Sequence, residues 1–184
     1  GREAFQEVDY RAMFAPLAKW VTQIDDIERI PELVSHAWSK ALSGRPGPVV
    51  ISLPENMLSD LSDVPAANSV VIPKPAASQD QIKAIMEALN QAEKPVIIAG
   101  GGGFTDEGRR DLQEFAQALS LPVAAAFRYH DVMDNHSSSF IGDAGVAMTS
   151  AMKSALKEAD LILALNIRFG EMVTQEWSLF SVPK

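Results

Sequence analysis

The residues best suited to chemistry are four consecutive glycines, Gly100 to Gly103, set between an apolar run and Thr105. Glycine lets a ligand approach the backbone closely. The free N–H groups and macrodipole at a helix start then favour phosphate. The spacing falls short of a dinucleotide fingerprint, because Thr105 occupies the place of the third glycine. Ala126-Phe127-Arg128 stands where an acidic residue should end the next strand. Gly103 to Arg110 copies the glycine spacing of a P-loop but lacks its Lys-Ser/Thr pair. On these residues alone a tight strand-to-helix turn and a nucleotide contact both remain open.

Other reactive groups are sparse. His36, His130 and His136 are the only histidines, and His130-Asp131 and Asp134-Asn135-His136 crowd one stretch. Asp, Asn and Ser are also ordinary loop formers, so no metal site is assigned there. Asp25-Asp26 and Asp106-Glu107 stand at predicted helix starts, where negative charge favours the macrodipole without any acid–base role. The Gly-x-Ser-x-Gly elbow is absent. With no Cys there is no thiolate nucleophile, and a reducing, cytoplasmic setting is the default expectation. A net charge of −8 argues against nucleic acid and anionic membrane as partners. No apolar run is long enough to span a bilayer.

The elements that must position these residues follow an α/β rhythm. Asp25-Asp26 caps a helix whose apolar stripe is Ile30, Leu33, Val34, Ala37, Trp38, Ala41 and Leu42. Gly44 stops that helix, Val49–Leu53 forms a buried strand, and Pro54 closes it. Lys19 to Ile24 alternates as a short strand would, after a partial helical spacing from Tyr10 to Trp20. Residues 58–77, rich in Pro, Asp and Ser, read as a linker. Helices over 79–92, from Thr105 onward and over 149–159 then alternate with strands over 95–99, 121–126 and 161–167. Residues 127–147 read as one long loop. This alternation predicts right-handed crossovers and a doubly wound, mainly parallel sheet. The expected organisation is the end of one α/β domain (1–57), the linker (58–77) and a Rossmann-like domain (78–184). Both termini read as cut from a longer protein.

Several stretches together resemble a known family. Ala4-Phe5-Gln6-Glu7-Val8-Asp9, Lys19-Trp20 and Gly44-Arg45-Pro46-Gly47-Pro48-Val49 with Leu53-Pro54 resemble the end of the pyrimidine-binding domain of thiamine-diphosphate enzymes. The acetolactate synthase and benzaldehyde lyase branch is the nearest. Pro95 to Gly102 and Glu158 to Phe169 resemble the central domain of that family. The resemblance implies a carboligase, lyase or decarboxylase acting on 2-oxo acids or acyloins, with thiamine diphosphate supplying the carbanion chemistry. It implies that Gln6, with its neighbour Phe5, lines the active site. It also implies that the catalytic glutamate precedes residue 1, and that the diphosphate and Mg²⁺ domain follows residue 184. The chain alone is therefore expected to be inactive and to hold no cofactor. The resemblance further implies a small-molecule substrate and a homodimeric or homotetrameric parent.

Some positions depart from the family pattern. Glu55 replaces a lysine after Leu53-Pro54, Arg128-Tyr129-His130-Asp131 replaces a glycine-rich segment, and Gly170-Glu171-Met172 replaces Asp-Asp-Arg. These changes weaken the expectation of flavin. Should FAD or ADP bind, the matching positions are Arg45, Gly101, Gly102 and Arg168. Gly142-Asp143-Ala144-Gly145 with Asn166 faintly resembles a magnesium–diphosphate motif, but the second glycine is displaced. The competing class is a non-catalytic nucleotide-binding or assembly module.

Overall fold

A computed structural model describes residues 4–180. The chain forms two compact units, Gly1–Ala76 and Ala77–Lys184, taken here one at a time.

In the first unit, Asp9 caps helix α1 (Tyr10–Phe14) by accepting from the Ala12 amide. Strand β1 (Trp20–Gln23) runs parallel to β2 (Val49–Ser52), with Trp20 opposite Val49 and Gln23 opposite Ser52. Between them Asp26 caps a 3-10 turn, Ile27–Arg29, that leads into helix α2 (Ile30–Leu42). Pro31 sits in the first turn of α2, where its missing N–H costs nothing. Gly44 follows at φ +56, a left-handed conformation that glycine adopts without penalty. The apolar stripe expected on α2 divides. Leu33 and Ala37 are buried, whereas Val34, Trp38 and Leu42 are exposed. Two strands offer a surface for only part of a stripe that wide. A short helix α3 (Glu55–Ser59) follows Pro54 and reaches into the start of the stretch 58–77 that reads as a linker. The chain then runs without regular structure as far as Ser78.

The second unit carries one fully parallel four-stranded sheet. Ser78 and Gln81 form a reciprocal capping box on α4 (Gln79–Gln91). Strand β3 (Pro95–Ala99), helix α5 (Asp106–Ala118) and strand β4 (Val123–Ala126) follow. Strand β5 (Phe140–Ala144), helix α6 (Ser150–Glu158), strand β6 (Leu161–Leu165) and helix α7 (Glu171–Thr174) complete the unit. The strand order is β5-β4-β3-β6.

The alternation along β3 sets the two cores. Val96 and Ile98 pack with Met152 and Leu156 of α6 and Val173 of α7. Ile97 and Ala99 pack with Leu89 of α4 and Leu112 and Ala116 of α5. Ile97 and Ile98 are fully buried, each adding about 2–3 kcal/mol by removal from water. Helices on both faces explain why β3 reads as a continuous apolar run.

One expectation is overturned. Residues 127–147 are not a single loop, because Phe140–Ala144 pairs in parallel with β4. This strand includes Gly142 and Asp143, both poor strand formers. Its register also slips, since Val123 faces Phe140 while Ala124 faces Gly142. Ile141 is the extra residue of this bulge, and Gly142 takes φ +119 beside it. No alternating pattern survives such an interruption.

Candidate functional site

The chain leaves β3, moves outward through β4 to β5, and then returns to place β6 on the other side of β3. The direction of winding therefore reverses between β3 and β6. In open α/β sheets, ligands occupy the crevice at the carboxyl ends of the strands flanking such a reversal. Gly100–Gly103 follows β3, and Asn166–Gly170 follows β6.

Sterics explain the glycines there. The Gly100 amide donates to the Leu165 carbonyl at 3.1 Å. A Cβ on Gly100 would stand 2.3 Å from the Ala126 Cβ. Gly101 has φ +80, and a Cβ there would stand 1.8 Å from the Asn166 carbonyl oxygen. Gly102 is open, with nothing within 4 Å of a built Cβ. The amides of Gly101, Gly102 and Gly103 find no acceptor among the described residues. Thr105 caps α5 by accepting from the Gly108 amide at 3.1 Å.

Strained backbone gathers at the same edge of the sheet. Arg128 (φ +71) follows β4, Asn166 (φ +53) follows β6, and Gln175, Glu176 and Trp177 are all left-handed in the segment after α7. Non-glycine residues rarely hold this conformation, and they do so preferentially at functional sites. Buried Thr174 holds the triple turn, its Oγ accepting from the Trp177 amide at 2.9 Å. Gln175 Nε2 also donates to the Gly145 carbonyl at 3.2 Å, tying this turn to the end of β5.

A cavity of about 240 Å³ opens between the Gly101–Phe104 turn and Arg128–Val132. Arg109 forms one wall, donating to Asp106 at 2.9 Å and to Asp131 at 2.8 Å. Its Nε is buried without a partner. The Arg128 guanidinium lies 4.9 Å from the centroid of the Phe127 ring and forms no ion pair among the described residues.

The positions expected from sequence fall in both units. Gly101 and Gly102 flank the crevice, and exposed Arg168 lies two residues beyond Asn166. Arg45 belongs to the first unit. Its side chain is exposed, and its carbonyl accepts from Lys19 Nζ at 2.8 Å. The same ammonium also donates to the Ser43 carbonyl, so Lys19 holds the turn that begins at Gly44. Phe5 and Gln6 occupy the tip of a turn closed by the Glu7 amide donating to the Ala4 carbonyl at 3.0 Å. Phe5 is 93% exposed, and Gln6 takes φ +61.

The sequence did not point to Arg109, Tyr129 or Asp131 as lining residues. No local signal could have found them, because it is the pairing of β3 with β4 that sets the turn after one beside the turn after the other.

No group of three or more metal-ligating side chains occurs among the described residues. Asp143 stands on β5 and Asn166 follows β6, at opposite edges of the sheet. Three strand spacings, about 14 Å, separate those edges, so the two residues cannot share one magnesium ion. The faint diphosphate motif therefore has no geometric basis. Asp143 instead faces His130, its Oδ2 3.9 Å from the imidazole Nε2, and its Oδ1 is buried without a partner.

Residues 82–184 match the family described as thiamine pyrophosphate enzyme, central domain. The chain belongs to the thiamine pyrophosphate enzyme family. Its parallel sheet with helices on both faces is the fold that the sequence pattern predicted. It is 32% identical over 180 residues to the acetolactate synthase large subunit of Haemophilus influenzae, covering 95% of this chain and 31% of that protein. The acetolactate synthase isozyme 3 large subunit of Escherichia coli K12 gives the same identity and coverage. A probable acetolactate synthase large subunit of Methanocaldococcus jannaschii is 31% identical over 188 residues, covering 98% of this chain and 32% of that protein. The chain thus spans about a third of the length of the curated relatives it matches. No helix among the described residues is long and apolar enough to cross a membrane.

Proposed function

We propose that this chain is a section of a thiamine-diphosphate-dependent carboligase, lyase or decarboxylase that acts on a 2-oxo acid or acyloin, in the manner of an acetolactate synthase. The supporting observation is the similarity to acetolactate synthase large subunits across 95% of the chain. In this reading residues 1–57 end the pyrimidine-binding domain, 58–77 link, and 78–184 belong to the central domain. The parent works in the cytoplasm as a homodimer or homotetramer on a small-molecule substrate.

Thiamine diphosphate, when bound, supplies the carbanion-stabilising chemistry. Phe5 and Gln6 line the active site, a role supported by their place at an exposed turn tip. They shape and orient the substrate, and neither carries a proton in this scheme. Thiamine diphosphate and Mg²⁺ are held by parts of the parent outside this chain.

A nucleotide such as ADP, or FAD, is the second ligand class. Gly101, Gly102 and Arg168 are the candidate contacts in the central domain. The position of Gly101 and Gly102 at the winding reversal supports this.

Calorimetry with thiamine diphosphate and Mg²⁺ tests the main reading. The expected result is no micromolar binding and no turnover of a 2-oxo acid by the chain alone, but turnover by the full reading frame. Micromolar binding by the chain refutes the assignment of the cofactor elsewhere. A full-length protein that binds nucleotide but never turns over a 2-oxo acid favours the assembly-module reading.

A further inference from the structure

We propose that the groove between helix α5 and the segment 131–134 is a binding site for a small zwitterion of the α-amino-acid class. Arg110 is the contact for its carboxylate, and Glu114 and Asp134 are the contacts for its ammonium. No residue of the turn after β3 lines this groove. The proposal rests neither on thiamine chemistry nor on a nucleotide.

Three observations converge on this groove. The first is a preformed shape. Its volume of about 460 Å³ falls within the roughly 300–1,000 Å³ of small-ligand sites. Two cross-ties hold its walls together. Arg109 of α5 donates to Asp131 at 2.8 Å, and the Gln113 side chain of α5 accepts from the Asp134 amide at 3.1 Å. Buried Met133 adds an apolar surface to the same groove.

The second is the charge left over after those ties. Arg109 is neutralised by Asp106 and Asp131. Arg110 and Glu114 line the groove without an ion pair among the described residues. They stand one turn apart on α5, and an arginine placed before a glutamate is the weaker order for pairing along a helix. Both groups are therefore available to a ligand. One oxygen of Asp134 accepts from the His136 amide at 2.9 Å, and the other is free among the described residues.

The third is the match of donors to acceptors. Side chains four residues apart on a helix start about 5–6 Å from each other, a gap that a ligand bearing both charges on one carbon can bridge. Its carboxylate takes two N–H groups of the Arg110 guanidinium, and its ammonium has three donors to share between Glu114 and Asp134. A simple anion would face the two carboxylates, and a simple cation would face Arg110, so each meets a repelling group.

The test is a heteronuclear NMR titration of the full chain at fixed pH and ionic strength, following the backbone amides of Gln113 and Asp134. The probes are L-norleucine, hexanoate, which lacks the ammonium, and pentylamine, which lacks the carboxylate. The expected result is saturable movement of those amides with norleucine. Each single-charge probe should bind at least about tenfold more weakly, the worth of one charge-assisted hydrogen bond. Arg110→Gln and Glu114→Gln alter exposed side chains and keep the fold, and each should weaken norleucine binding by about tenfold. Immobile amides with norleucine, equal binding of either single-charge probe, or unchanged affinity in either variant overturns the proposal. Turnover by the full-length enzyme would survive that result, so the two readings fail separately.

Discussion

Two neighbouring glycines should respond oppositely to one added methyl group. At Gly101 the methyl would stand 1.8 Å from the Asn166 carbonyl oxygen, where a carbon–oxygen contact needs about 3.3 Å or more. Relief requires the loops after β3 and β6 to part by about 1.5 Å, at the point where the Gly100 amide bonds the Leu165 carbonyl. Losing that bond costs about 1 kcal/mol. Placing alanine at φ +80 costs about 1–2 kcal/mol more, and the displaced packing adds to both. Gly101→Ala should therefore lose about 3 kcal/mol or more. At Gly102 the methyl meets nothing within 4 Å and the backbone is not left-handed. Gly102→Ala should stay within about 0.5 kcal/mol of the parent, or gain slightly by stiffening the unfolded chain. Urea denaturation of both variants gives the two midpoints, and an unchanged slope shows that the comparison concerns stability. Equal midpoints for the two variants would refute the steric account of the crevice.

Three further outcomes follow from the second unit. The Asp160 carboxyl is held below the usual value of 3.8, first by the Glu93 amide and then by the Lys94 amide. A lowered folded value means stability that is present above pH 3.8 and lost as pH falls through the folded value. Asp160→Asn should therefore melt lower than the parent at neutral pH, with the gap closing on acidification below 3.8 in paired pH–melting curves. Ser120 takes φ +54 just past α5, with the Leu121 amide bonding the Ala116 carbonyl at 2.8 Å, so Ser120→Gly should raise stability by about 0.5 kcal/mol in the same urea assay. Leu156 is fully buried between α6 and the sheet, and Leu156→Ala should lose about 2–5 kcal/mol with no change in strand order by hydrogen exchange.

Much of this protein was legible along the chain. Ser78, Thr105 and Thr149 announce helix starts because their hydroxyls satisfy amides a few residues ahead. The apolar run 95–99 announces a strand because a strand covered on both faces needs no polar alternation. Gly101 marks the crevice because only a residue without Cβ fits beside Asn166.

What the sequence could not show depends on contacts between distant residues. Strand β5 was hidden because its bulge at Ile141 breaks the alternation that reveals a strand, and only pairing with β4 defines it. The separation of Asp143 from Asn166 follows from strand order, which local spacing does not encode. The same order lays Arg128 beside Gly101–Gly103, because β3 and β4 are neighbours and their turns meet at one edge. Local propensity determined which elements form, and the winding of the sheet decided which of their ends share a site.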